Sequence, residues 1–140
     1  MSSPRRRDER GSAALELAFL SPMLLALIFF SVQAGLWWYG RNVALQAARE
    51  GVTQLRLVPD EQSFDQVVAE VERNTEDYAT VLGRESLLGP RAEADHDQDR
   101  GRVSMTVTGH VITLLPGMDL RVTQQAFGET ERFEADRTDR

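Results

Sequence analysis

From Leu17 to Tyr39 the chain reads LAFLSPMLLALIFFSVQAGLWWY, 23 residues without one charged side chain. As a helix rising about 1.5 Å per residue, this run is roughly 34 Å long. That is enough for a bilayer hydrocarbon core of about 30 Å. Its polar members, Ser21, Ser31 and Gln33, are mild. Pro22 near its start is tolerated in membranes, where other groups satisfy the freed carbonyl. Trp37, Trp38 and Tyr39 cluster at its far end, where amphipathic rings favour the headgroup region. The average composition, 41% apolar and 27% charged, would pass for a soluble protein only because it blurs this segregation.

Charge follows the same division. Residues 1–12 hold four Arg and two acids, whereas residues 40–140 hold twelve Arg and nineteen acids. By the positive-inside rule the Arg5, Arg6, Arg7 and Arg10 cluster stays cytoplasmic and residues 40–140 are exported, extracellular or periplasmic. The acidic body would repel phosphate, so a nucleic-acid partner is not expected. There is no Cys, which excludes disulfides, thiolate metal sites and Cys nucleophiles. All sixteen basic residues are Arg, a genome bias rather than a chemical signal. A competing reading is a secreted protein cut after Ala34, because Val32-Gln33-Ala34 resembles a small-residue cleavage site. Against it, the run exceeds the usual signal core of about 7–15 residues, and the helical pattern continues past the aromatics.

Glu16 stands at the entrance of the span. A carboxylate there must be solvated at the interface, protonated or paired. It ends the stretch Arg10-Gly11-Ser12-Ala13-Ala14-Leu15-Glu16. Residues four apart on a helix share a face, so an amine at Ser12 would lie beside the Glu16 carboxylate. The stretch resembles the type IV prepilin processing motif: a short basic leader, a Gly, four residues, a Glu and a hydrophobic helix. Together with Leu20-Ser21-Pro22-Met23-Leu24-Leu25 and Asn42-Val43-Ala44-Leu45-Gln46-Ala47-Ala48-Arg49-Glu50-Gly51, it is similar to the TadE-like family. Those proteins are minor pilins or pseudopilins of the tight-adherence (Tad) pilus system. Many members carry Phe or Tyr after the Glu, where this chain has Leu17.

The resemblance implies cleavage by a prepilin peptidase after Gly11, a mature chain starting at Ser12, and an assembly or register role for Glu16. It implies as partners the peptidase, other pilins with a similar paralogue, and the Tad membrane platform proteins, besides the lipid bilayer. An assembly ATPase would act on the cytoplasmic side. The implied organisation is a basic leader over 1–11, a transmembrane helix over 12–39, an exported pilin-like α+β domain over 40–134 and a flexible tail over 135–140. A tethered extracellular binding domain that never assembles is the alternative for the same topology.

In the body, Val43, Ala44, Ala47, Ala48, Gly51, Val52 and Leu55 recur at helical spacing. The first helix is therefore expected to run on to about Leu57, ending before Pro59. The small residues Ala44, Ala47, Ala48 and Gly51 permit close helix packing, against another subunit or against the chain's own domain. With residues 40–140 alone, the stripe is expected to stay exposed and to cause weak self-association. Asp60 or Ser63 caps a second, amphipathic helix with Phe64, Val67, Val68, Val71, Thr75, Tyr78 and Leu82 on one face. Glu61, Asp65, Glu70, Glu72, Glu76 and Asp77 are expected on a solvated face.

Residues 83–90 read as a loop. Val103, Met105 and Val107 alternate with Ser104, Thr106 and Thr108 as a half-buried strand, with a bulge expected at Gly109. Pro116-Gly117 is a turn, and a strand starting at Leu120 reaches Phe127 or beyond. A short strand over 91–95 pairs with 103–107, so the fold class is α+β with a small antiparallel sheet.

Asp95, Asp97 and Asp99 have the spacing of the first EF-hand ligands, but Arg100 and Thr106 stand where the loop needs Gly and Glu. A polar hairpin is expected there instead. Phosphate-binding Gly loops and nucleophile motifs are missing, so neither catalytic residues, nor a metal, nor a cofactor is expected.

Overall fold

The computed structural model describes residues 8–58 and 61–129, with backbone only at 8–12, 61 and 62. Residues 1–7 of the leader, the expected cap Asp60, Pro59 and the expected tail over 135–140 lie outside the described residues. The described chain forms two helices and three strands: α1 (Asp8–Arg56), α2 (Glu61–Gly83), β1 (Leu87–Asp97), β2 (Arg102–Val111) and β3 (Leu120–Glu129). This is the α+β arrangement expected from sequence. The chain divides between Gly35 and Leu36 into two compact units.

The first unit contains the apolar part of α1, which runs unbroken through Pro22. Its large side chains, from Leu15 to Val32, are exposed all round the helix. That distribution is not the one-sided pattern of an amphipathic surface helix. Ser31 donates its hydroxyl to Leu27 C=O at 2.8 Å, so this polar group is satisfied within the helix.

In the second unit, α1 buries one face. Gly40, Val43, Ala44, Ala47, Ala48, Gly51, Val52 and Leu55 are buried, in the i, i+3, i+4 pattern. Their partners are the sheet and α2 of the same chain. A Cβ on Gly51 would lie 2.7 Å from Thr75 Oγ1 and 2.9 Å from the Met105 side chain, so only Gly lets the three elements meet. The helix closes with i+3 bonds, Leu57 N–H to Gln54 C=O and Val58 N–H to Leu55 C=O, both 3.2 Å. Among the two surfaces expected to compete for the small stripe, its own domain takes it. The expectation that residues 40–140 alone expose the stripe is therefore corrected.

Helix α2 packs through Val71, Thr75, Ala79 and Gly83, a row of mostly small residues four apart. Buried Thr75 donates to Val71 C=O at 2.7 Å. Tyr78, expected on this face, is exposed, and completely buried Ala79 takes its place. Close approach explains the exchange: a Cβ on Gly83 would already be 3.2 Å from Val43 Cγ1, leaving no room on this row for a tyrosine ring. Arg84 follows at φ 48°, the left-handed conformation that ends a helix.

The sheet order is β1-β2-β3, all antiparallel. Val103, Met105, Val107 and Val111 of β2 face the helices, as do Val122 and Ala126 of β3. The outer face carries Thr108 and Thr123, whose hydroxyls lie 3.2 Å apart, and Arg102 above the Phe127 ring. Two local expectations change. Leu87–Pro90 belongs to β1 and is not loop, and the bulge falls between Leu88 and Arg91, opposite Gly109. Gly89 at φ 53° supplies the positive-φ residue of that bulge, and Pro90 is tolerated because β1 is an edge strand.

Helix α2 covers that edge. Glu76 Oε1 accepts the Ala92 N–H at 3.1 Å, and Glu72 Oε1 accepts the Ala94 N–H at 2.9 Å. Spaced four apart on the helix, the two carboxylates meet alternate N–H groups of the strand. They satisfy donors that an edge strand otherwise offers to another chain. The expected solvated face thus gives up Glu72 and Glu76 to the fold.

Candidate functional site

The residues singled out from sequence all lie along α1. Gly11, Ser12 and Glu16 are on its helical backbone, with Ser12 and Glu16 one turn apart. Glu16 is exposed and heads the apolar stretch. From Ala13 onward α1 is long and apolar enough, by length and composition, to cross a membrane, a candidate anchor near the N-terminus. No charged residue intervenes between Glu16 and Arg41.

The far end of the apolar stretch brings aromatic and basic side chains together. The Arg41 guanidinium carbon stands 5.7 Å from the centroid of the Trp37 ring, a cation–π arrangement one turn along the helix. Asn42 donates its side-chain amide to Trp38 C=O at 2.8 Å. Trp38 and Tyr39 remain exposed. Aromatic rings next to an arginine that can reach the headgroups are the side chains expected where a helix leaves hydrocarbon.

Ala44, Ala47, Ala48 and Gly51, expected as a packing surface, lie inside the second unit. They set how closely α1 approaches β2 and α2. Residues 95–99 do not gather into a cation site. Asp97 Oδ1 accepts the Arg100 N–H at 3.2 Å, and its Oδ2 pairs with Arg100 Nη1 at 3.0 Å. The backbone hydrogen bond, more than the Arg100 charge, holds the Asp97 carboxyl below the usual carboxylate range. Asp97 is thus engaged in the β1–β2 turn, where Gly101 takes φ 57°. Among the described residues no three His, Asp or Glu side chains converge as a metal-binding group.

Sequence reasoning missed the structural work of Glu72 and Glu76. Their spacing of four against alternate residues of a later strand was a possible signal, but it is readable only once the strand edge is known.

These features define a class: an α+β domain that includes the C-terminal part of a long helix, preceded by a candidate membrane anchor. Residues 11–53 match the family model described as TadE-like protein. The stretch runs from Gly11 almost to the end of α1. The resemblance read over residues 10–52 is thus matched over the candidate anchor and the small-residue stripe, while α2 and the sheet lie beyond it. No curated protein and no solved structure matches the chain.

Proposed function

We propose that this chain is a minor pilin or pseudopilin that takes part in assembling a Tad-type pilus. The observation that carries the reading is the TadE-like match over 11–53, which coincides with the anchor helix and begins at Gly11. In this reading the N-terminus is cytoplasmic, α1 crosses the cell membrane, and residues 40–140 lie outside. A prepilin peptidase cuts after Gly11. A glycine inside a helix weakens it by about 1 kcal/mol relative to alanine, so Gly11 eases the local opening that a peptidase needs. The absence of a Cβ also leaves the scissile bond accessible. The role is assembly and not catalysis, with other pilins and the platform proteins as partners.

Cleavage creates an α-amine at Ser12, one turn from the Glu16 carboxylate. The carboxylate pairs with its own amine or, in an assembled subunit, with a neighbour's. In low dielectric such a pair favours one axial register over others, because a displaced subunit leaves a charge uncompensated. Glu16→Leu tests this. It makes the span more apolar, so membrane insertion is retained. Breaking a buried pair on one side costs about 3–5 kcal/mol, and next to water about 1–3 kcal/mol. The lower range is about a 5- to 150-fold loss in association. The expected result is loss of surface pili and of co-purification with the other pilins at normal membrane levels. Normal piliation and co-purification would make Glu16 a solvated interfacial residue.

A further inference from the structure

The connection between β2 and β3 leaves Leu114, Leu115 and Met118 exposed on a built turn. The Met118 N–H donates to Leu115 C=O at 3.3 Å, and Gly117 takes φ 85°, the arrangement of a type II turn with Pro116 ahead of the glycine. The Thr113 hydroxyl lies 3.1 Å from Leu115 C=O and 3.0 Å from Met118 C=O, tying both sides of the turn together. The apolar side chains are therefore held outward by the backbone. Leu88, paired with His110 on the neighbouring strand, is exposed at the same end of the sheet.

That end adjoins the exit of α1. A Cβ on Gly40 would meet Val111 Cγ2 at 2.6 Å, and one on Gly51 would meet Met105 at 2.9 Å. β2 thus runs opposite to α1, and the chain after Val111 continues toward residues 36–39. Trp37 precedes Gly40 by about 4.5 Å of helical rise. Leu114 follows Val111 by up to about 10 Å of extended chain. The turn consequently follows Val111 on the side of the domain where Trp37, Trp38 and Tyr39 precede Gly40. Charge agrees. Val103–Met118 is the longest stretch beyond Tyr39 without Asp, Glu or Arg. Asp97 and Asp99 lie in the turn at the opposite end of β2.

We propose that the β2–β3 turn is a second membrane contact. Leu114, Leu115 and Met118 enter the headgroup–acyl boundary of the bilayer that α1 crosses, beside the aromatic residues of its exit. One helix alone leaves a domain free to tilt and swivel; a second point of insertion fixes its orientation on the surface. The occupant is lipid because the turn is continuous with the segment that leaves the membrane. The proposal rests on the anchoring reading of α1.

The absence of Cys permits single-cysteine labelling of the full chain with an environment-sensitive fluorophore. The variants are Leu115→Cys, Met118→Cys, Leu24→Cys in the span and Asp99→Cys in the far turn, each reconstituted in phosphatidylcholine–phosphatidylglycerol vesicles. Quenching by lipids carrying a spin label near the headgroup reports shallow insertion. The expected result is a blue shift and strong shallow quenching at positions 115 and 118, quenching by deep labels at 24, and an aqueous spectrum at 99. Aqueous spectra at both 115 and 118 with a lipid-buried probe at 24 would overturn the second contact and leave the anchor intact. An aqueous spectrum at 24 would overturn the anchor, and the second contact with it. Because the vesicles contain no other protein, a turn that binds only a protein partner gives the first of these failures.

Discussion

The two stretches of α1 use one backbone in opposite ways. Between Leu15 and Val32 the large apolar side chains are exposed on every side; between Gly40 and Leu55 the inward row is largely Ala, Gly and Val, and it is buried. In the first stretch no side chain of the same chain limits size. In the second, size sets the distance to β2 and α2, so a single added methyl group meets a neighbour. Apolar character alone does not separate the two. What distinguishes the domain-facing stretch is one buried face made mostly of small residues.

That contrast can be broken most sharply with a matched pair of truncations. Met105 is fully buried beneath Gly51, while Met23 is exposed in the apolar stretch. Met105→Ala is expected to destabilise the outer domain by about 2–5 kcal/mol. Met23→Ala should leave it unchanged. Hydrogen exchange of the β2 amides in the full chain, held in detergent or lipid, reads both. Equal protection in the two variants would mean that the packing around Met105 is not that described.

A smaller effect is expected from enlargement. Ala47→Leu forces a bulky side chain into the buried row and should cost about 1–3 kcal/mol. Ala26→Leu, in the apolar stretch, should cost the domain nothing. Urea unfolding of the two variants in the same micelles compares them. An Ala47→Leu domain as stable as the parent would free the stripe for contact with another subunit.

The smallest expected effect concerns the sheet edge. Glu72→Ala and Glu76→Ala each remove a side-chain acceptor from a β1 N–H and should cost about 0.5–1.5 kcal/mol. Exchange should quicken at Ala94 in the first variant and at Ala92 in the second. Unchanged protection at those two amides would show that the carboxylates do not seal the edge.

How much of this was legible in the sequence follows from the range of each interaction. The long apolar helix, the Gly11–Glu16 spacing and the alternating face of β2 depend on neighbours along the chain, and local pattern displays them. The Leu87–Pro90 segment was hidden because Gly89 and Pro90 signal a loop locally, although a bulged edge strand accepts both. Tyr78 and Ala79 could not be ordered because α2 carries both on adjacent rows, and only the nearness of α1 decides which fits. Glu72 and Glu76 read as solvated, since nothing within α2 announces the N–H groups of Ala92 and Ala94 about twenty residues later. Gly11, Ser12 and Glu16 were found by motif, but their purpose depends on molecules outside this chain.

The central claim is that this chain is processed like a pilin and then anchored by α1. Mass spectrometry of the protein purified from membranes of its native host tests it most directly. Expected are a mature N-terminus at Ser12, α1 continuous from Ser12 to Arg56, and no peptide from residues 1–11. Full-length protein, or a chain beginning at Gly35 after cleavage behind Ala34, would contradict it.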